Sequence, residues 1–195
     1  MARPDLSPPL RLFIALPIPA SVLEACIQLQ ARLRPGFRQL SGLRDRLRWV
    51  QPDNFHVTVR FLGDTPREKI PEILLLLESL ASQTPVFELE LSKLDAFPQL
   101  KQAHVLIWRI KYAEALQHFY ERLNLQLQDL GLATESRHYI PHITLARIKP
   151  PQELMIDLYP DELRFLSSTA ILYQSELTFK GSVYTPLGQV LFRKN

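Results

Sequence analysis

Phe55-His56-Val57-Thr58-Val59-Arg60-Phe61-Leu62-Gly63 is the stretch on which the reading of the fold turns. Apolar residues fall at every second position, the period of a β-strand with one buried face. Phe55, Val57, Val59 and Phe61 take the core side on that reading, and His56, Thr58 and Arg60 the other. A second stretch repeats the pattern: Pro141-His142-Ile143-Thr144-Leu145-Ala146-Arg147. There Ile143 and Leu145 point inward while His142, Thr144 and Ala146 point away. Composition alone would give one His-x-Thr with a probability of ~0.2 and two with ~0.02. The matched flanks therefore carry more of the signal than the triplets do.

Outward from these strands the chain alternates helices and strands. Arg11 to Leu16 reads as a first strand, and a helix follows from about Pro19 to Leu33, stopped by Pro35-Gly36. Leu47 to Val50 is a short strand. Thr65-Pro66-Arg67-Glu68 opens a second helix with Thr65 as its N-cap, running to about Ser82. Val86 to Leu94 and His104 to Ile110 read as strands, and Ala113 to Leu130 as a third helix ended by Gly131. The strand Ile140 to Ile148 carries the second motif and ends at Pro150-Pro151. Further strands fill Leu163 to Phe192, with turns at Lys180-Gly181 and Pro186-Leu187-Gly188. Hairpin-length gaps between strands predict antiparallel sheets, hence an α+β chain with a loose internal duplication, one His-bearing strand in each half.

The 195 residues fit one domain, and 46% hydrophobic with 22% charged residues is the balance of a soluble globular protein. The longest apolar run, Ile73 to Leu77, is too short to span a bilayer, and the N-terminus lacks a signal-peptide pattern, so a cytoplasmic location is expected. One cysteine, Cys26, excludes an internal disulfide and a Cys-based metal cluster; among Val22, Leu23, Ile27 and Leu29 it reads as a buried thiol. Net charge is +3, yet arginines 32, 34, 38, 44, 46 and 48 stand against a single acid, Asp45. That stretch reads either as a solvated helix end and loop or as a polyanion contact. His104, His118 and His138 lack the motif's context and read as structural or surface residues. Nothing marks an oligomer interface, which leaves a monomer as the default.

Two imidazoles and two hydroxyls around one small volume suit phosphodiester chemistry. Attack at phosphorus needs a base for the nucleophile and an acid for the leaving oxygen, and histidine serves as either near neutrality. Threonine hydroxyls can donate to non-bridging oxygens, and an arginine can neutralise charge there. A metal needs three or four ligands, commonly with carboxylates or Cys nearby. Neither motif contains one, so no metal and no cofactor are expected.

Taken at length, the motifs resemble the two-histidine phosphoesterase superfamily, and within it the bacterial RNA 2′,3′-cyclic phosphodiesterase family, also called the 2′-5′ RNA ligase or LigT-like family. The residues that carry the resemblance are Arg11 to Ala20, Arg48 to Gly63 (with Trp49 and Pro52-Asp53-Asn54) and Arg137 to Arg147, together with Ser175 and Tyr184. The resemblance implies a bilobal α+β fold in which two antiparallel sheets face a central groove, with helices outside. It implies hydrolysis of an RNA 2′,3′-cyclic phosphate to a 2′-phosphate, with His56 as proton donor and His142 as proton acceptor. The residues by themselves do not divide those two roles. Thr58, Thr144 and Arg147 would hold the phosphate, although alternation puts Arg147 on the core side unless a bulge or strand end intervenes. Arg60, Phe13 and Arg48, with the Arg44 to Arg48 stretch, are candidates for contact with RNA. Partners expected on this reading are RNA with a cyclic phosphate end, tRNA halves among them, or small cyclic nucleotides. Rival readings are reversible 2′-5′ ligation of tRNA halves and a non-catalytic module that binds RNA ends.

Overall fold

The computed structural model describes residues 8–39, 47–133, 135, 137–179 and 181–194. The elements are β1 (Leu10–Pro17), α1 (Ala20–Gln39), β2 (Leu47–Trp49), β3 (His56–Thr65), α2 (Ile70–Gln83), β4 (Phe87–Phe97), β5 (Ala103–Ile110), α3 (Glu114–Asp129), β6 (His142–Gln152), β7 (Leu163–Ser167), β8 (Thr169–Thr178) and β9 (Gly181–Leu191). The class is α+β, as the spacing predicts. Strands pair antiparallel in the order β7-β4-β5-β6-β3-β1-β8-β9, and β2 attaches to β6. Counted outward from the centre, β6-β5-β4-β7 stands against β3-β1-β8-β9, and β1-α1-β3 takes the place in one half that β5-α3-β6 takes in the other. The two expected sheets are thus two halves of one path. A single registered pair joins them, Val57 with Ile143, at the start of the two histidine strands.

The helices cover one face. Leu10, Leu12, Ile14 and Leu16 of β1 join Val22, Cys26, Leu29, Leu33 and Phe37 of α1, Ile73, Leu77 and Leu80 of α2, and Leu116, Phe119, Leu123 and Leu127 of α3 in one buried cluster. The apolar spacing of each helix is what allows it to bury one stripe against the sheet. Cys26 is a core residue whose thiol is pushed up to about 12 by burial, which keeps it protonated and inert. Gly131 ends α3 at a φ of 78°: its N–H bonds to Gln128 O and that of Leu132 to Leu127 O, a Schellman closure.

Several boundaries differ from the sequence reading, each through tertiary contact. α1 runs through Pro35 to Gln39 instead of stopping. Pro35 removes one helical hydrogen bond, and burial of Phe37, whose ring meets Trp49 at 5.9 Å, offsets it. Thr65 does not cap α2; it is the buried last residue of β3, with its hydroxyl on Gly63 O, and a short turn at Arg67–Lys69 precedes the helix. β6 passes through Pro150-Pro151 to Gln152. The expected turn at Pro186-Leu187-Gly188 is a bulge inside β9, where Leu187 has no partner and Leu74 of α2 packs where a side chain at Gly188 would lie. Lys180 and residues 40–46, which include Arg44 and Arg46, lie outside the described residues. Among the described residues no helix is long and apolar enough to cross a membrane.

Candidate active site

His56 opens β3 and His142 opens β6, each directly before the joining pair. Extending the register of Val57 and Ile143 sets His56 across from Thr144, and Thr58 across from His142. Alternation turns all four away from the helices. The two histidines and two threonines therefore form one cluster over the point where the halves meet, with each imidazole facing the other strand's hydroxyl.

Both rings are held the same way. His56 Nδ1 lies 2.9 Å from Asn54 O, and His142 Nδ1 lies 2.6 Å from Ile140 O, in each case two residues upstream. A carbonyl can only accept, so each Nδ1 carries a proton and each neutral ring presents its Nε2 lone pair to the open face. On His56 that nitrogen meets Thr58 Oγ1 at 2.9 Å. Asn54 is itself anchored, its amide donating to Ser182 O of β9 at 2.8 Å. The Pro52-Asp53-Asn54 turn thus orients the imidazole from behind. The Thr144 hydroxyl makes no hydrogen bond to the described residues.

Burial drives the His56 pKa down to about 4 from an ordinary 6.5; charges on His142 and Arg147 push the same way, and the Asn54 bond opposes them. His142 is lowered too, by burial first and then by Arg147 and Arg109, against the bond to Ile140. Both rings are neutral at pH 7 in the free protein.

The arginines are placed by bulges. In β3 the ladder with β1 pairs Thr58 with Ala15 and Arg60 with Ile14, so Val59 is unmatched. In β6 the ladder with β5 pairs Thr144 with Ile107 and Ala146 with Leu106, so Leu145 is unmatched. Each bulge falls three residues after its histidine and reverses the alternation beyond it. Ala146 turns into the core and Arg147 onto the histidine face, so the condition set by the sequence pattern is met. The freed Leu145 carbonyl accepts from buried Gln30 Nε2 at 2.9 Å and from Val50 N at 3.0 Å.

The same reversal corrects two expectations for β3. Phe61 is not a core residue: it is 51% exposed and meets Phe13 at 5.8 Å. Arg60 is not on the histidine face: it is 7% exposed, donates to Asn124 Oδ1, Phe61 O and Ala133 O, and lies 3.9 Å from Glu135. All but Phe61 of these lie in α3 or just beyond, so Arg60 ties the first half to the second. Tyr139 does the same, donating to Thr58 O at 3.0 Å while stacked on Tyr120.

Phe13 comes to the site as expected, its ring 5.1 Å from His56 and in contact with Phe61, Tyr173 and Tyr184. Ser175 is the β8 partner of Tyr184. Arg48 of β2 pairs with Arg147 and shares its face. The sequence reading missed Arg109, which lies opposite His142 and bonds Asp95 at 2.6 Å, and Phe97, whose ring sits edge-on to His142 at 4.9 Å. Tyr173 and Tyr139 were missed as well. Register brings Arg109, Phe97 and Tyr173 to the histidines, and no local pattern marks them. His104, His118 and His138 are exposed, away from the cluster. Among the described residues no three His, Cys, Asp or Glu side chains gather as a metal would require.

Two oriented imidazoles, two hydroxyls and an arginine lie together across one sheet centre, groups whose chemistry allows proton transfer and the binding of an anion. Comparison with known proteins gives the family. A model described as LigT-like phosphoesterase matches residues 16–108. The RNA 2′,3′-cyclic phosphodiesterase of Methanocaldococcus jannaschii is 31% identical over 90% of this chain and 96% of its own length. That of Thermus thermophilus is 32% identical over 94% and 91%. Among solved structures, TT0787 of Thermus thermophilus superposes with a TM-score of 0.83 at 29% identity, covering 95% of this chain and 99% of that one. Escherichia coli LigT complexed with 3′-AMP gives 0.78 at 26%, covering 94% and 98%. This chain belongs to the LigT-like phosphoesterase family.

Proposed function

We propose that the protein hydrolyses RNA 2′,3′-cyclic phosphate ends to 2′-phosphates, using His56 and His142 for proton transfer and no metal. The observation that carries this reading is the crossed arrangement of the two His-x-Thr strands, with both Nδ1 atoms tied to carbonyls and both Nε2 atoms on the open face, that of His56 beside Thr58 Oγ1. Relatives named RNA 2′,3′-cyclic phosphodiesterase over nearly the whole chain support the substrate.

The phosphodiester anion binds between the histidines, its non-bridging oxygens taking hydrogen bonds from Thr58, Thr144 and Arg147. Its charge opposes the burial and the cations that keep the imidazoles neutral, so binding raises both pKa values and allows one ring to hold a proton. By family pattern that ring is His56. His142 Nε2 takes a proton from water as the water oxygen attacks phosphorus. The bond to the ribose 3′ oxygen breaks, and His56 Nε2 gives that oxygen its proton. The product carries a 2′-phosphate and a 3′ hydroxyl. His142 then releases its proton to solvent and His56 regains one, restoring the starting state. Arg147 disfavours a charge on both rings, and Arg109 on His142 as well.

The test is a short RNA ending in a 2′,3′-cyclic phosphate, incubated with the protein in excess chelator, with the product end identified by mass and by resistance to a 3′-specific phosphatase. A 2′-phosphate, absent with His56→Ala and with His142→Ala, is the expected result. Loss of activity in chelator would return a metal to the mechanism. Tight binding without turnover would favour the RNA-end binding module, and joining to an RNA end whose 5′ hydroxyl takes the place of water would show that ligation is in use.

A further inference from the structure

The bulge at Leu145 has an effect beyond Arg147. After it, alternation along β6 puts Lys149 on the histidine face as well, about 7 Å further along the strand. β2 adds Arg48 directly across from Arg147, with the intervening Leu47 and Trp49 turned toward the core partners Ile148 and Ala146. Arg48, Arg147 and Lys149 are all exposed. None of the three pairs with a carboxylate among the described residues.

Other cations on this face differ. Arg109 is neutralised by Asp95 at 2.6 Å, and Arg11 at the far end of β1 stands opposite Asp64. Around His56 the walls are the rings of Phe13, Tyr173 and Tyr184. Unopposed positive charge therefore begins beside the reacting phosphate and leads away along β2 and β6.

From this we infer that Arg48 and Lys149 form a track for the backbone of a single-stranded RNA, holding the phosphates on the 5′ side of the reacting terminus; the inference rests on the phosphodiesterase reading above. A mononucleotide has no phosphate to place there. An oligonucleotide does, and it gains from every cation that releases counterions. The substrate class that fits this surface is a polymer end rather than a free cyclic nucleotide.

The experiment compares kcat/KM for a 2′,3′-cyclic mononucleotide and for an eight-nucleotide RNA with the same cyclic 3′ end, in wild type, Arg48→Gln, Lys149→Gln and the double variant. The oligonucleotide is expected to exceed the mononucleotide at least tenfold at low salt. The double variant should remove most of that ratio. For the oligonucleotide, the slope of log kcat/KM against log salt should flatten by about 1.4, at roughly 0.7 for each phosphate no longer neutralised. Each single variant, by the same rule, takes about half. Equal ratios in wild type and the double variant, with mononucleotide turnover intact, would overturn the track and leave the phosphodiesterase reading standing. Absence of turnover on both substrates in the wild type would instead sink the phosphodiesterase reading itself.

Discussion

The two histidine strands are alike up to the fourth motif residue and differ immediately after it. Both tie Nδ1 to a carbonyl two residues back, both send the intervening apolar residue into the joining pair, and both bulge three residues after the histidine. Beyond the bulge, β3 continues Arg60-Phe61 and β6 continues Ala146-Arg147. The arginine is one residue earlier in β3, so it falls on the opposite face. In β6 it reaches the histidines; in β3 it is buried and holds the halves together. A one-residue offset on a common backbone separates an electrostatic role from a structural one.

Replacing either histidine by alanine is the largest expected effect, a fall of about 10³ to 10⁴ in kcat for RNA with a cyclic end. Circular dichroism should show the fold unchanged. If one histidine proved dispensable, the functional equivalence of the two strands would be broken.

The arginines should then separate. Arg147→Ala is expected to cost about 10² in kcat/KM with a melting temperature close to wild type. Arg60→Ala removes the donor to Asn124 Oδ1, Phe61 O and Ala133 O, whereas Glu135 keeps Arg137. It should cost about 3 kcal/mol in urea unfolding, while activity per folded molecule persists. The reverse pattern would mean that the bulges do not sort the two side chains onto opposite faces.

A pH effect sharpens the same contrast. Folded His56 resists a proton that the unfolded chain accepts, so its contribution to stability is full above the unfolded pKa of 6.5 and is lost as the pH falls toward 4. Denaturant melts across that window should show the decline, and His56→Gln should reduce it. In nuclear magnetic resonance titrations the His56 midpoint should rise in Arg147→Ala and on addition of a nucleoside monophosphate. A midpoint that stays fixed under both changes would mean that neither charge reaches the ring.

The smallest effect concerns the support of the second bulge. Gln30→Leu removes one of the two donors to the Leu145 carbonyl, leaving Val50 N, and should destabilise the protein by about 1 kcal/mol. If kcat then fell more than KM rose, the bulge geometry would be shown to set the position of Arg147.

Alternation, the repeated His-x-Thr, the Gly131 stop and the order of helices and strands could be read from neighbouring residues, because each depends on a few consecutive side chains and the backbone period. The four-residue core of the site was legible for that reason. The faces of Arg60, Phe61 and Arg147 were not, since a bulge exists only relative to the strand it pairs with, and β1 and β5 lie far away in sequence. Arg109, Asp95, Phe97 and Tyr173 reach the site through register across several strands, which no local spacing encodes. Pro35-Gly36 and Pro150-Pro151 were read as stops and Pro186-Leu187-Gly188 as a turn; burial of Phe37 and the packing of α2 on β9 outweighed the local signal in α1 and β9. Local chemistry thus determined which groups are candidates for the site, and the long-range ladders decided which way they face.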